Sequence, residues 1–159
     1  MDYTVGSVAP IVLLPFFAFA INAFIVKKFT KIAVAISCLA IFGSFLFSLS
    51  VFKDFTFGQF AADYHIHKVF TWFDLGPKFK LNMGIYIDNL GAMMLLMVTG
   101  CALLIHIFST YYMAEDIRFG RFFVYMSLFT SAMLGMVISD NLLGMFIFWE
   151  LMGFCSYSL

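Results

Sequence analysis

Five long apolar runs, separated by links that carry nearly all of the charge, dominate the pattern of hydrophobic and polar positions along the chain. The runs are residues 8–26, 32–52, 89–113, 122–139 and 141–159. Each holds about 18 to 25 residues, enough for a helix that rises about 1.5 Å per residue to cross a hydrocarbon core about 30 Å thick. The pattern therefore predicts an all-α integral membrane protein, with five transmembrane helices in a single bundle.

The segment 53–88, between the second and third runs, has a different periodicity. Apolar and polar side chains alternate from residue 78 to residue 88, which is typical of a strand with one buried face. Residues 65–73 supply a partner strand, and the residues Asp-Leu-Gly-Pro at 74–77 have the chemistry of a turn. We therefore predict an extramembrane β-hairpin between helices two and three.

The composition excludes a soluble domain and several kinds of partner. Hydrophobic residues make up 64% of the chain and charged residues 11%, against about 25% charged in an ordinary soluble domain. Nine basic residues balance nine acidic ones, so there is no basic surplus for nucleic acid. Cys38, Cys101 and Cys155 lie far apart in apolar runs, which argues against a disulfide framework, a metal site or a cluster site built by this chain. The expected surroundings are the lipid bilayer.

The basic residues in the short links predict the orientation of the bundle. Lys27, Lys28 and Lys31 lie between the first two runs, and Arg118 and Arg121 lie between the third and fourth. Because short basic links stay on the cytoplasmic side, we expect both of these links there. The N-terminus and the hairpin are then extracytoplasmic.

Glu150 is the one formally charged residue inside the five runs, and it is the tenth of nineteen residues in the fifth. A charged side chain at that depth costs about 2.5 to 3.5 kcal/mol on insertion scales, so such residues usually face a protein or water-filled interior. We therefore predict that Glu150 faces the bundle interior or a hydrated cavity and transfers protons or cations. The alternative is a protonated glutamic acid that hydrogen-bonds between helices as a structural link.

His106, in the third run, is the one imidazole inside a span. A histidine with an ordinary pKa near 6.5 can relay protons, and we name it as a second candidate in proton transfer. The alternative is a neutral histidine that bonds a backbone carbonyl.

Four further acidic and histidine positions suit structural roles better than chemistry. Asp63, His65 and His67 recur at a spacing of two, so in a strand they share one face and could hold a metal ion. Such a trio in an exposed loop is more often solvated, and we predict no metal site.

Asp140 directly precedes the fifth run, where a carboxylate can accept hydrogen bonds from the first amides of a helix. We therefore expect Asp140 to cap the fifth helix, with a chemical role as the alternative.

Four segments of the second half of the chain resemble a known family. They read D-N-L-G-A-M-M-L-L-M-V-T from Asp88, L-I-H-I-F-S-T-Y-Y-M from Leu104, R-F-F-V-Y-M-S-L-F from Arg121, and S-D-N-L-L-G-M-F-I-F-W-E-L-M-G-F-C-S-Y from Ser139. In order and in content they look like the antiporter-like subunit L of the proton-pumping NADH:quinone oxidoreductase, respiratory complex I. The first two helices and the hairpin resemble the family mainly in layout.

The resemblance implies a role in proton translocation coupled to quinone reduction. Trp149 and Glu150 match the family's Trp-Glu pair, whose glutamate lies on a proton path, and His106 matches the family's histidine in the third helix. Family members are several-fold longer and carry lysines on later helices, so this chain corresponds to their first five spans. The implied partners are other membrane-arm subunits, and the implied location is an energy-converting membrane such as the bacterial plasma membrane.

No dinucleotide-binding glycine motif, P-loop or cysteine cluster occurs in the chain, so we expect it to bind no cofactor. NADH, flavin, iron–sulfur clusters and quinone would then be bound by partner subunits. One alternative is the large subunit of a multisubunit sodium/proton antiporter, or of a related membrane-bound hydrogenase or carbon-uptake complex, since these share the Trp-Glu helix. A second is a structural or assembly protein of the membrane.

The predicted orientation can be tested by labelling. A cysteine introduced beside Arg118 should not react with an impermeant thiol reagent added outside intact cells, because that link is expected in the cytoplasm. Lysis of the cells should make the same cysteine reactive. Rapid labelling of the intact cells would contradict the assignment.

Overall fold

The computed structural model describes residues 3–25, 29–56, 65–74 and 80–159. In chain order the elements are α1 (Tyr3–Ile25), α2 (Thr30–Thr56), β1 (Ile66–Asp74), β2 (Lys80–Ile87), α3 (Asn89–Tyr112), α4 (Phe119–Ile138) and α5 (Leu142–Ser158). The two strands form one antiparallel sheet between α2 and α3. The predicted fold class, a helical membrane protein with a small hairpin, is confirmed.

By length and composition, α2, α3 and α4 are each apolar enough over a sufficient length to cross a bilayer. The helix α5 is a shorter apolar helix of 17 residues. The helix α2 runs from Thr30 to Thr56 and so extends past the predicted end at residue 52. That extension includes Lys53 and Asp54. Charged residues are tolerated at this end of the helix, because their side chains can reach the membrane interface.

The helix α4 is the centre of the bundle. It contacts α1, α2, α3 and α5, and eleven of its residues are buried, many of them small. Small side chains allow membrane helices to approach closely. At Gly135 the approach is so close that a Cβ atom there would lie 2.6 Å from Cζ of Phe148 on α5. The α4–α5 contact therefore depends on glycine at this position.

A hydrophobic cluster joins the hairpin to one end of the bundle. It combines the start of α1, the end of α2, the base of the hairpin, the start of α3 and the end of α4; its buried members are Val8, Ile11, Val51, Phe55, Ile66, Ile87, Ala92, Leu95, Leu134 and Ile138. These helix ends lie together because successive helices run up and down through the bundle. The hairpin thus continues the apolar core at the end opposite Arg118.

At the base of the hairpin the side chains alternate between a buried and an exposed face, as predicted for the segment 78–88. Ile87 and Ile66 are buried and face each other across the two strands, whereas Tyr86, which points to the other side, is exposed. An irregularity between Thr71 and Phe73 shifts the register. Asp63 and residues 75–77 of the predicted turn lie outside the described residues.

The link between α4 and α5 packs against β2 through one isolated antiparallel bridge and several hydrogen bonds. Ser139 forms an isolated bridge with Ile85, and the backbone N–H of Asp140 donates to the carbonyl of Gly84 at 3.3 Å. The Gly84 N–H donates in return to Oδ1 of Asp140 at 2.9 Å. Next along the link, Nδ2 of Asn141 donates to the carbonyl of Asn82 at 2.8 Å. These bonds hold the hairpin against the start of α5.

This contact predicts the effect of a side chain at residue 84. A Cβ atom on Gly84 would meet the Asp140 carboxylate and would lie 2.7 Å from the backbone carbonyl oxygen of Lys68. We expect Gly84→Ala to destabilise the purified protein by about 1 to 3 kcal/mol, the usual cost of overpacking, and to lower its Tm. Gly153→Ala is the control, because a Cβ there meets nothing within 4 Å. Equal Tm values for the two variants would contradict the docked arrangement.

Candidate functional site

Glu150 lies at the middle of α5, the ninth residue of the 17 from Leu142 to Ser158. Asn141 starts this helix, since its Oδ1 accepts a hydrogen bond from the Gly144 N–H at 2.7 Å. The Glu150 side chain is exposed, and no hydrogen bond or ion pair joins it to the rest of the described chain. Within the described residues Glu150 therefore does not face the interior of the five helices, and the hydrated cavity, the other surrounding named for it, stays a prediction.

Helical geometry explains where Glu150 points. The face of α5 that packs on α4 includes Gly144, Phe148 and Cys155. At about 100° per residue, Glu150 lies about 120° to 160° around the helix from each of them. Its carboxylate is consequently directed away from α4.

The surface around Glu150 is an open apolar groove along α5. Its lining is Leu142, Leu143, Met145, Phe146, Trp149 and Glu150. Most of this face is strongly exposed, with Leu142 at 81% and Trp149 at 61%. One carboxylate thus stands at mid-helix in an otherwise hydrocarbon-like surface, the arrangement in which a charged group demands a polar partner.

His106 lies in the interior of the bundle. Its side chain is fully buried on α3, and its ring meets the Phe123 ring of α4 edge-on at 6.0 Å between centroids. Nδ1 is 2.8 Å from the carbonyl oxygen of Ala102. A carbonyl oxygen only accepts, so Nδ1 carries the hydrogen, as the structural alternative for His106 supposes. The structure does not bring His106 and Glu150 together, because Glu150 points away from the interior.

Asp140 does not cap α5, which corrects the prediction made for it. Asn141 performs the capping, because the chain reaches the helix one residue later and Asp140 is held by the hairpin. The second carboxylate oxygen of Asp140 lies 3.4 Å from Nε2 of His67. The helix α3 has the kind of cap expected at α5: Oδ1 of Asp88 accepts from the Gly91 N–H at 2.7 Å.

The predicted trio of Asp63, His65 and His67 is described only in part. Asp63 is outside the described residues, and both histidines are exposed and lie near the Tyr86 ring. Among the residues that the structure describes, no group of three His, Cys, Asp or Glu side chains is placed to hold a metal ion.

The sequence reasoning missed a cluster of polar side chains inside the bundle. Nδ2 of Asn22 on α1 lies 2.8 Å from Oγ of Ser37 on α2, and that oxygen lies 2.9 Å from Oγ of Ser127 on α4. All three side chains are fully buried. Asn22 could have indicated this cluster, because it is an amide side chain inside an otherwise apolar run. It was not predicted as a site residue because charged and titratable residues alone were considered.

Comparison with known proteins gives a consistent set of similarities. A family described as NADH-Ubiquinone oxidoreductase (complex I), chain 5 N-terminus, matches residues 72–123, from the end of β1 into α4. The chain is 51% identical over 92 residues to NAD(P)H-quinone oxidoreductase chain 5 of Synechocystis. These 92 residues are 58% of this chain and 13% of that protein.

Two other relatives extend the match over more of the chain. The F(420)H(2) dehydrogenase subunit L of Methanosarcina mazei is 43% identical over 148 residues, or 92% of this chain and 21% of that protein. The chloroplastic NAD(P)H-quinone oxidoreductase subunit 5 of Chara vulgaris is 40% identical over 124 residues, or 78% of this chain and 18% of that protein. The chain thus spans about a fifth or less of the length of these curated relatives. The resemblance to the N-terminal part of the antiporter-like subunit is confirmed.

Proposed function

We propose, from the match to the N-terminal part of the antiporter-like subunit of complex I, that this chain forms the first five membrane helices of such a subunit. In that role it contributes to proton translocation coupled to quinone reduction. Its partners are the other membrane-arm subunits. The chain itself conducts protons and carries out no electron transfer.

The observation that carries this proposal is the position of Glu150. A structural link between helices would pair the carboxyl with a neighbour of this bundle, yet Glu150 points away from α4 into an apolar groove. The groove needs a covering element with a polar or charged group at mid-helix depth. We propose that a later helix of the full subunit covers it and places a lysine beside Glu150.

Such a pair can hold or release a proton as its geometry changes. A lysine close to the carboxylate favours the charged form, and separation of the two groups favours the protonated form. One pKa unit corresponds to about 1.4 kcal/mol, so a moderate change in pairing alters proton occupancy about tenfold. Glu150 then acts as a gate whose state depends on its distance from the lysine.

We assign electron transfer to the partner subunits. These would bind NADH, flavin, iron–sulfur clusters and quinone, because the chain offers no motif for any of them. The relatives are named for NAD(P)H and for F(420)H(2), so similarity in this part of the subunit does not select the electron donor. The donor is a property of the partners.

The proposed location is an energy-converting membrane, the plasma membrane if the source is a bacterium. The N-terminus and the hairpin would face the extracytoplasmic side. This orientation is supported by the exposed Lys31, Arg118 and Arg121, which lie at helix ends opposite the hairpin.

Replacement of the carboxylate tests the proposed function. We expect Glu150→Gln to lower proton translocation about tenfold or more in membrane vesicles that contain the whole complex, because the amide keeps the volume but cannot titrate. Glu150→Asp keeps the carboxylate with a shorter reach and should retain more activity. Proton uptake and quinone-linked NADH oxidation are measured together at matched subunit content.

Glu115→Gln is the matched control, since it makes the same chemical change at an exposed acidic residue in the link between α3 and α4. It should pump as the unaltered complex does. Normal pumping by Glu150→Gln would place the gate elsewhere and leave Glu150 with a structural role. Transport that depends on sodium without quinone reduction would favour the antiporter alternative.

A further inference from the structure

Three polar side chains inside the bundle, Asn22, Ser37 and Ser127, are joined by hydrogen bonds. His106 is not bonded to them, but its ring meets the ring of Phe123, whose carbonyl oxygen lies 2.9 Å from Ser127 Oγ. We call these four residues the buried polar layer. Ser127 Oγ lies 2.9 Å from the carbonyl oxygen of Phe123 and 2.9 Å from Ser37 Oγ, so its single hydrogen is donated to one of these two oxygens. Ser37 Oγ also reaches the Phe123 carbonyl oxygen, at 3.5 Å. Asn22 in turn donates to Ser37 at 2.8 Å.

The amide of Asn22 has a fixed orientation and an unused acceptor. Nδ2 donates one hydrogen to the Ala33 carbonyl at 2.8 Å and the other to Ser37 at 2.8 Å. A reversed amide would place two oxygens against each other at Ala33, so the orientation follows from the contacts. Oδ1 then points elsewhere; it is buried and has no donor among the described residues.

His106 presents the same kind of atom on α3. With the hydrogen on Nδ1, the neutral ring has a lone pair at Nε2 and can only accept there. Nε2 is also buried, and none of the described residues donates to it. The buried polar layer therefore contains two acceptors, on α1 and α3, that both call for the same chemical partner.

A later helix or a partner subunit cannot supply that partner. Asn22 and His106 are both fully buried by the five helices of this chain, so no outside side chain reaches them without disrupting the packing. A water molecule is small enough to be enclosed and donates hydrogen bonds. Internal water commonly satisfies buried polar groups of this kind.

A cleft lies at the Arg118 end of the bundle. It has a volume of about 880 Å³, and its lining is Phe19, Ala23, Thr30, Ile117, Arg118, Gly120, Arg121, Val124, Tyr125 and Phe154. One lining residue, Ala23, directly follows Asn22 of the layer, and another, Val124, follows Phe123, whose ring meets the ring of His106. The arginines keep the mouth of the cleft polar, on the side that we assign to the cytoplasm.

We propose that the buried polar layer is an internal water-binding site, with Nε2 of His106 and Oδ1 of Asn22 as its acceptors. Water at Nε2 donates to the neutral ring. When a proton arrives through that water, it binds to Nε2 while Nδ1 keeps its hydrogen on Ala102, and the same water then accepts from the charged ring. His106 can thus exchange protons with the cytoplasmic side at a site separate from Glu150. Only this use of the site for proton transfer rests on the proposed function.

Hydroxyl-radical footprinting by X-ray radiolysis tests the site directly, because radicals formed from bound internal water oxidise the side chains beside it. We expect His106 and Phe123 in the whole complex to be oxidised several-fold faster than Leu95 and Leu134, after correction for intrinsic reactivity. All four side chains are fully buried, so bulk exposure does not distinguish them. Oxidation of His106 and Phe123 as slow as that of the two leucines would overturn the proposal.

A variant locates the water at the ring nitrogen. His106→Phe keeps an aromatic ring of similar size but removes Nε2, and should lower the oxidation of Phe123 several-fold. His65→Phe, on the exposed hairpin, is the matched control and should leave that oxidation unchanged. Unchanged oxidation of Phe123 in His106→Phe would show that the water is not held by His106. If His106→Phe fails to assemble, the rates in the unaltered complex still decide, and pumping by Glu150→Gln tests the proposed function separately.

Discussion

In a hydrocarbon solvent each polar atom of a spanning segment must find its partner inside the protein, and the arrangement of this bundle depends on that constraint. The helices satisfy their own backbone groups, and hydroxyl side chains such as Thr99, Thr130 and Ser139 bond to carbonyls one turn earlier. What remains is a small number of polar groups that cannot bond within their own helix. Their positions distinguish the parts of the bundle where nearly all polar groups have a partner from the part where one group has none.

In the interior formed by α1 to α4, nearly all polar groups have a hydrogen-bond partner. Asn22, Ser37 and Ser127 link three helices, and the central α4 allows the close approach through its small residues. The outer face of α5 is incomplete, because Glu150 has no partner there among the described residues. His106 and Glu150 therefore require different partners. His106 needs a partner small enough to fit inside the bundle, whereas Glu150 needs a further helix beside α5.

The sequence predicted the helices and the hairpin well because both depend on local periodicity. A run of apolar residues specifies a membrane helix wherever it packs, and alternation specifies a strand with two unlike faces. Periodicity could not predict the direction of Glu150, because α5 is apolar on every side and no stripe marks its packing face. The face was decided by the fit of Phe148 against Gly135, which is a property of two helices and not of either segment alone.

The same distinction explains the cap of α5. Asp140 and Asn141 are both suitable capping residues, and local chemistry does not choose between them. The choice was made by the hairpin, whose Gly84 binds the Asp140 carboxylate and leaves Asn141 to the helix. Because Asn141 also binds the carbonyl of Asn82, the helix that carries Glu150 begins at a point fixed by the extramembrane strands.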